Sequence, residues 1–202
     1  TGSKLAKLHL LGADIRYISE FYSFEKSEEI FNKLLSSLAT ADCWDRFGKG
    51  RFVAQWSNPP NMRYIFSEVE YIAQAFPNWI EKIRQEIMLL LIPIYGKERC
   101  DFNYCVGNCY MDGSAGVNWH TDSEAHIVPQ CPIACVSFGA ERVFSLARIF
   151  HSSSENINIR LESGSVIVMA GDCQANYLHA ILKDEQAKLG KRFSLTFRVN
   201  YR

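Results

Sequence analysis

The 202-residue sequence has no excess of charge of either sign, since Lys+Arg and Asp+Glu both number 22. That excludes a global basic field as the means of holding a nucleic acid, so any such binding must rest on a local patch. No apolar run approaches the roughly 20 residues of a membrane span, and no membrane insertion is expected. No internal repeat, low-complexity tract or Pro/Gly/Ser-rich linker divides the chain, which leaves one domain as the default. The seven cysteines are an odd number without repeated CxxC spacing. They argue against a disulfide framework and for reduced thiols in an intracellular compartment, nucleus or cytoplasm. Cys100, Cys105 and Cys109 stand at CxxxxC and CxxxC intervals that structural zinc sites do not use, and they read as packing residues. The opening Thr1-Gly2-Ser3 has neither an initiator Met nor an apolar leader. It reads as a cloning remnant, before which a removed targeting signal would leave no trace.

What is present divides into two patterns. Ser27 to Leu38 places Ile30, Leu34, Leu35 and Leu38 at helical spacing behind a Ser27 N-cap, with Glu28 and Glu29 in the first turn. Asn78 to Leu91 repeats the pattern with Trp79, Ile80, Ile83, Ile87 and Leu90 on a broad apolar face. From Phe102 onward, short segments rich in Val, Ile, Phe, Tyr and Cys are broken by Gly, Pro, Asn and Ser. The pattern predicts strands near 102–111, 117–122, 132–139, 142–149, 157–161, 164–169, 176–181 and 192–200. Helices followed by about eight strands predict an α+β fold, a double-stranded β-helix (jelly roll) with the N-terminal helices packed against its sheet. The expected division is an extension over 1–50, a substrate lid and supporting helix over 51–100, and the jelly-roll core over 101–202.

The stretch "NWHTDSEA" sets His120 and Asp122 two residues apart, hence on one face of a strand, with Trp119 on the other. Such a pair can be two ligands of a metal or a solvated turn pair, and the metal reading needs a third ligand. The candidates are His9, His126, His151 and His179. The apolar surround of His179 in "NYLHAIL" makes an unpartnered imidazole less comfortable than at His151 in "FHSSSEN". Two histidines and a carboxylate on one face of a metal form the facial triad of non-haem Fe(II) oxygenases, while a core or surface His179 remains open. The strand Lys191 to Val199 alternates strictly, with Phe193, Leu195, Phe197 and Val199 on one face and Arg192, Ser194, Thr196 and Arg198 on the other. The polar face is either solvated or the wall of a site. Arg192 and Arg198 would then stand about 20 Å apart if fully extended, guanidiniums suited to the two ends of a small dicarboxylate. Asn108 and Tyr110 share a face likewise and offer an amide and a phenol. "DRFGKGR" supplies Arg46, Lys49 and Arg51 around two glycines, a loop that touches phosphates or does nothing specific.

With these residues assembled, the sequence resembles the AlkB family of Fe(II)- and 2-oxoglutarate-dependent dioxygenases from about Arg51 to the C-terminus. The resemblance rests on the ordered segments "NCYMDG", "HTDSE", "PIACVSFGAERVF", "LESGSVIVMAG", "NYLHAI" and "RFSLTFRV". It implies His120, Asp122 and His179 as catalytic iron ligands, and Asn108, Tyr110, Arg192, Ser194, Thr196 and Arg198 as the 2-oxoglutarate site, with O2 as the other cosubstrate. Ser194 departs from the Asn of many relatives. The family's Pro-Arg-rich segment becomes "SNPPNMRYIFSE" here, without the Arg after the prolines, so either Tyr64 or Phe66 matches the family's aromatic. Glu124 matches an acidic position that helps to read the base, with an exposed turn glutamate as the alternative. Trp56, Tyr64 and Phe66 are stacking candidates, Arg51 a phosphate contact, and Trp119 a core residue.

The implied reaction is oxidative demethylation of N-alkylated nucleobases in DNA or RNA, as in direct-reversal repair of 1-methyladenine and 3-methylcytosine. It releases succinate, CO2 and formaldehyde, and a base in a duplex must first be flipped out. Alternatives are demethylation of 6-methyladenine or of a protein side chain, and, in another class, an inert jelly-roll binding module. The expected partner is alkylated nucleic acid, with no membrane and a monomeric state.

Overall fold

The structure is a computed structural model and describes residues 4–40, 43–66, 69–149, 156–184 and 189–201. His151 lies outside the described residues, as do Thr1-Gly2-Ser3 and the side chain of Phe66. In chain order the strands are β1 (Ala6–Leu10), β2 (Ala13–Ile18), β3 (Asp45–Arg46), β4 (Arg51–Ser57), β5 (Arg63–Phe66), β6 (Val69–Ile72), β7 (Gln74–Ala75), β8 (Tyr104–Tyr110) and β9 (Val117–His120). They continue with β10 (Ile133–Gly139), β11 (Arg142–Arg148), β12 (Ile157–Leu161), β13 (Val166–Ala170), β14 (Tyr177–Ile181) and β15 (Arg192–Arg198). The helices are α1 (Phe24–Thr40), α2 (Asn78–Tyr95) and the one-turn α3 (Cys173–Asn176).

A nine-stranded sheet in the order β1-β2-β13-β10-β15-β8-β4-β3, with β7 alongside β4, faces a four-stranded sheet β12-β11-β14-β9. Two sheets, antiparallel except for the β4–β7 pair, with α1 and α2 packed on the outer face of the larger, make the jelly roll read from the sequence. All eight strands expected after Phe102 form, within a few residues of the boundaries read there. Ahead of β4, β1 pairs with β2, and β2 pairs with β13 from Ile18↔Val166 to Asp14↔Ala170, which puts both strands in the major sheet. Helix α1 starts three residues before the expected Ser27. Ser23 caps it, accepting the Lys26 backbone N–H at 3.3 Å, while Ser27 is buried inside the helix with its hydroxyl donated to the Ser23 carbonyl. A hydroxyl bonded back to the preceding turn satisfies itself there, which is why the same residue type serves in the interior.

Strand β15 divides the protein's two functions of support and chemistry. Phe193, Leu195 and Phe197 are fully buried in the core beneath α1 and α2, where Phe31 and Trp44 meet Phe193 edge-on at 5.6 Å. Arg192, Ser194, Thr196 and Arg198 face the space between the sheets, so the solvated-face reading of this strand does not hold. Strand β4 alternates in the same way. Arg51, Val53 and Gln55 face the cleft, and Trp56 turns to the opposite side, 1% exposed. There it packs edge-on against Trp44 at 5.8 Å and fills the space over Gly107. Trp56 is therefore a core residue and not a stacking platform, because a period of two gives it the face of Phe52 and Ala54. A Cβ on Gly107 would stand 2.7 Å from the Trp56 ring. Gly107→Ala should destabilise the fold by about 1–3 kcal/mol through overpacking, read from the denaturant midpoint at unchanged slope.

Candidate active site

Antiparallel pairing builds the centre of the site. Strands β14 and β9 place His179 directly opposite His120, and their rings lie 4.2 Å apart. Asp122 follows two residues after the end of β9, in an irregular segment and not in the longer strand expected there. Its backbone N–H is donated to Gln174 Oε1 at 2.8 Å. Gln174 sits on α3, immediately before the strand that carries His179, so one short segment positions two of the three groups. Asp122 Oδ1 lies 3.7 Å from His120 Nε2, and Oδ2 lies 3.9 Å from His179 Nε2. These are too long for hydrogen bonds, yet donors that each sit about 2.1 Å from one ion are themselves roughly 3 to 4 Å apart. His120, Asp122 and His179 form the one potential metal-binding group among the described residues. His120 Nδ1 pairs with the Asn118 carbonyl at 2.8 Å, which makes that nitrogen the protonated one and leaves the Nε2 lone pair toward the cluster. His9 lies exposed on β1, and His126 meets the ring of Tyr64 edge-on at 4.3 Å; neither joins the group.

Four strands line the cleft in register. Arg51, Tyr110 and Arg192 form one row, followed by Val53, Asn108, Ser194 and Ser137, then Gln55, Val106, Thr196 and Cys135, then Ser57, Tyr104 and Arg198. The two arginines of β15 thus stand at opposite ends. Arg198 reaches Asp122 Oδ2 and the Tyr64 hydroxyl, each at 3.4 Å. Burial works against its charge, but Asp122, Tyr64 and Glu124 outweigh that and hold it firmly protonated. For Asp122, burial raises the pKa while Arg198, His179 and His120 lower it, and the net shift is downward. Arg192 is 1% exposed and lies over the Tyr110 ring. It donates one hydrogen bond, to Ser137 Oγ at 2.9 Å, and leaves Nε and Nη1 buried without a partner. Buried guanidinium donors call for an acceptor, and an anion such as a carboxylate is the strongest one they can take. The residues therefore fit an iron ion at one end of the cleft and a carboxylate of 2-oxoglutarate at the other.

The remaining residues fall as follows. Asn108, Tyr110, Ser194, Thr196, Tyr64 and Glu124 all line the cleft, which encloses about 830 Å³ including its open mouth. Tyr64 donates to Glu124 Oε1 at 2.7 Å, and Glu124 Oε2 is buried without a partner. Arg46 and Lys49 are exposed, but Arg51 is 8% exposed, lies over the Phe47 ring and donates to Asn108 Oδ1 at 3.4 Å. It belongs to the cleft wall and not to a basic surface loop, because it opens β4. Three contributors go unread in the sequence: Gln55 and Tyr104, whose hydroxyl donates to Gln55 Oε1, and Gln174. Alternation along "RFVAQWS" could have found Gln55, whereas nothing local marks Gln174.

Burial pushes the His179 pKa down to about 4, against the opposing pull of Asp122. The folded protein thus prefers the neutral ring, and unfolding takes up a proton between pH 4 and the ordinary 6.5. Stability is complete above pH 6.5 and falls as the pH drops toward 4, by up to about 3 kcal/mol. Urea unfolding of metal-free protein at pH 7 and 4.5 should show this loss, and His179→Asn should remove most of it.

A family profile described as the 2OG-Fe(II) oxygenase superfamily matches residues 14–198. The rat protein named alpha-ketoglutarate-dependent dioxygenase alkB homolog 3 (Rattus norvegicus) is 33% identical over 108 residues, 50% of this chain and 36% of its own length. DNA oxidative demethylase ALKBH2 of Arabidopsis thaliana is 28% identical over 93% of this chain and 67% of its own length. The human ALKBH2 is 26% identical over 88% and 66%. The chain thus spans little more than a third of the alkB homolog 3 proteins that it matches. The solved structure titled "The structure of OsALKBH1" shares the fold, with a TM-score of 0.68 over 96% of this chain and 99% of that one at 13% identity. With the His–Asp–His cluster and the unpaired cleft arginine in place, the match over 14–198 and these relatives show that the chain belongs to the 2OG-Fe(II) oxygenase superfamily and, within it, to the AlkB family.

Proposed function

We propose that this chain is an oxidative demethylase that removes methyl groups from ring nitrogens of nucleobases in DNA or RNA. Methylated base, 2-oxoglutarate and O2 would be converted to demethylated base, formaldehyde, succinate and CO2. The observation that carries the reading is Glu124 Oε2, a buried acceptor without a partner in the same cleft as the three metal-binding side chains. An exocyclic amine of a base would complete it, and relatives named DNA oxidative demethylase accord with that ligand.

Iron and 2-oxoglutarate, when bound, supply the oxidising power that places a hydroxyl on the methyl carbon, after which formaldehyde leaves. The protein's own tasks follow from its residues. His120, Asp122 and His179 would hold the iron from one side, leaving its other positions open. Arg192 would hold the far carboxylate of 2-oxoglutarate with its two unpaired donors, assisted by the Tyr110 phenol. Arg198 keeps Asp122 ionised and in place, while Asn108, Ser194 and Thr196 offer short polar contacts along the cosubstrate. Val53, Val106, Phe144, Leu161 and Met169 line the cleft with apolar surface, which keeps water from the reacting methyl. Tyr64, stacked on Tyr104 at 5.5 Å, presents Glu124 to a flipped base. Seven free thiols accord with a reducing compartment, and no described helix is long and apolar enough to cross a membrane.

The test loads the protein anaerobically with Fe(II) and 2-oxoglutarate, admits O2, and measures succinate and formaldehyde with methylated oligonucleotides. Formaldehyde at one equivalent per succinate is expected. A methylated peptide that stimulates turnover where no oligonucleotide does would sink the nucleobase reading, and absence of both metal binding and succinate would leave an inert binding module. His179→Ala should reduce turnover to background. Arg192→Gln should raise the KM for 2-oxoglutarate by about thirtyfold or more, the cost of an unpaired buried charge, with a smaller change in KM for the oligonucleotide.

A further inference from the structure

Two stacked phenols carry the polar groups beside the metal cluster. The rings of Tyr64 and Tyr104 lie 5.5 Å apart with planes inclined by 27°, and each hydroxyl is donated to one side chain of the cleft. Tyr64 bonds Glu124 Oε1, and Tyr104 bonds Gln55 Oε1. What the two side chains have left is opposite in kind. Glu124 keeps Oε2, which only accepts; Gln55 keeps its Nε2 amide, which only donates. Glu124 Oε2 is buried and unpartnered. Gln55 is 6% exposed, its one side-chain hydrogen bond among the described residues is the one from Tyr104, and it lines the cleft where this meets a smaller recess bounded by Asp45 and Glu70. An amide donor at the wall of a cleft that a ligand fills is completed by an acceptor on that ligand.

We propose that Gln55 is a specificity-determining residue that favours bases with a carbonyl on one side of the methylated ring nitrogen and an amine on the other. The inference rests on the demethylase reading above and narrows it. 3-Methylcytosine carries its N4 amine and its O2 carbonyl on either side of the methylated nitrogen, so it satisfies Glu124 and Gln55 together. 1-Methyladenine has the amine but presents a C–H where the carbonyl would be, and leaves the Gln55 amide unpaired. 3-Methylthymine has two carbonyls, one of which would face the Glu124 carboxylate. A site built to hydrogen-bond a ligand group discriminates against an analogue lacking it, because its own polar group is stranded. The orientation of the amide is the working part of the device: Tyr104 occupies Oε1 by donating its hydroxyl to it, which leaves the donor end of Gln55 for another acceptor.

The experiment compares kcat/KM, from formaldehyde release, on oligonucleotides that differ only in one base: 3-methylcytosine, 1-methyladenine or 3-methylthymine. Wild type should prefer 3-methylcytosine over 1-methyladenine by about tenfold or more, with 3-methylthymine poorest. In Gln55→Met, of similar length but without hydrogen bonds, the ratio of the first two should fall to near one; taking the ratio within each variant removes any general loss of activity. Tyr104→Phe keeps Gln55 but frees its amide to turn, and should lower the ratio by part of the same amount. A ratio equal in wild type and Gln55→Met would overturn the role of Gln55 while leaving the demethylase reading intact. Formaldehyde from none of the three bases would overturn both.

Discussion

A carboxylate shut off from water has to be neutralised by something shut in with it, and in this protein Asp122 is answered by Arg198. The two come from opposite sheets, Asp122 from the segment after β9 and Arg198 from the end of β15. Breaking such a buried pair on one side generally costs about 3–5 kcal/mol, so the jelly roll cannot shift one sheet against the other at this point without exposing or stranding a charge. The same guanidinium touches Tyr64, which holds Glu124. The His–Asp–His cluster, strand β5 through Tyr64, and the Glu124 carboxylate are thus referred to one fixed charge.

Around that pair the cleft is a product of strand alternation. Strands β4, β8 and β15 each send one side-chain set down into the helical core and the other up into the cleft. The tight contact of Gly107 with Trp56 and the Phe193–Leu195–Phe197 row are therefore what aim Gln55, Asn108 and the two arginines. The face that does chemistry is placed by the face that does not. Arg142 serves the rim in a similar way, donating to the carbonyls of Asp112, Ala115 and Leu182 and so tying the turn after β8 to the end of β14.

Much of this is legible in the residues. The strands after Phe102 can be read because their apolar and polar positions alternate or run apolar throughout, and because Gly, Asn and Pro mark their ends. "RFSLTFRV" declares both its faces in its letters alone, and the bias of β15 toward the cleft follows from the two arginines being useless in the core. Strand β4 passes for a lid segment because Val53 interrupts the polar set of Arg51, Gln55 and Ser57, which blurs a period that Phe52, Ala54 and Trp56 keep on the core side. β1 and β2 are legible on the same ground, with Leu8, Leu10, Ala13, Ile15 and Tyr17 on the face packed in a core cluster and Lys7, His9, Asp14 and Arg16 on the other, and a strand reading that starts at Phe102 simply passes over them. Gln174 is beyond local reasoning altogether: it acts on a backbone N–H 52 residues away, and a lone glutamine on a one-turn helix carries no pattern.

His120 closes β9, and among the described residues β9 is the outermost strand of the smaller sheet, bonded to β14 on one side alone. The three metal-binding side chains therefore differ in how firmly they are held. His179 and Asp122 are buried between sheets, and His120, 31% exposed, is carried by a strand with a free edge. An edge strand can lift by giving up a single ladder of hydrogen bonds. A cluster so divided has two groups seated between the sheets and one on an edge strand, so the side on which it meets solvent is that of His120.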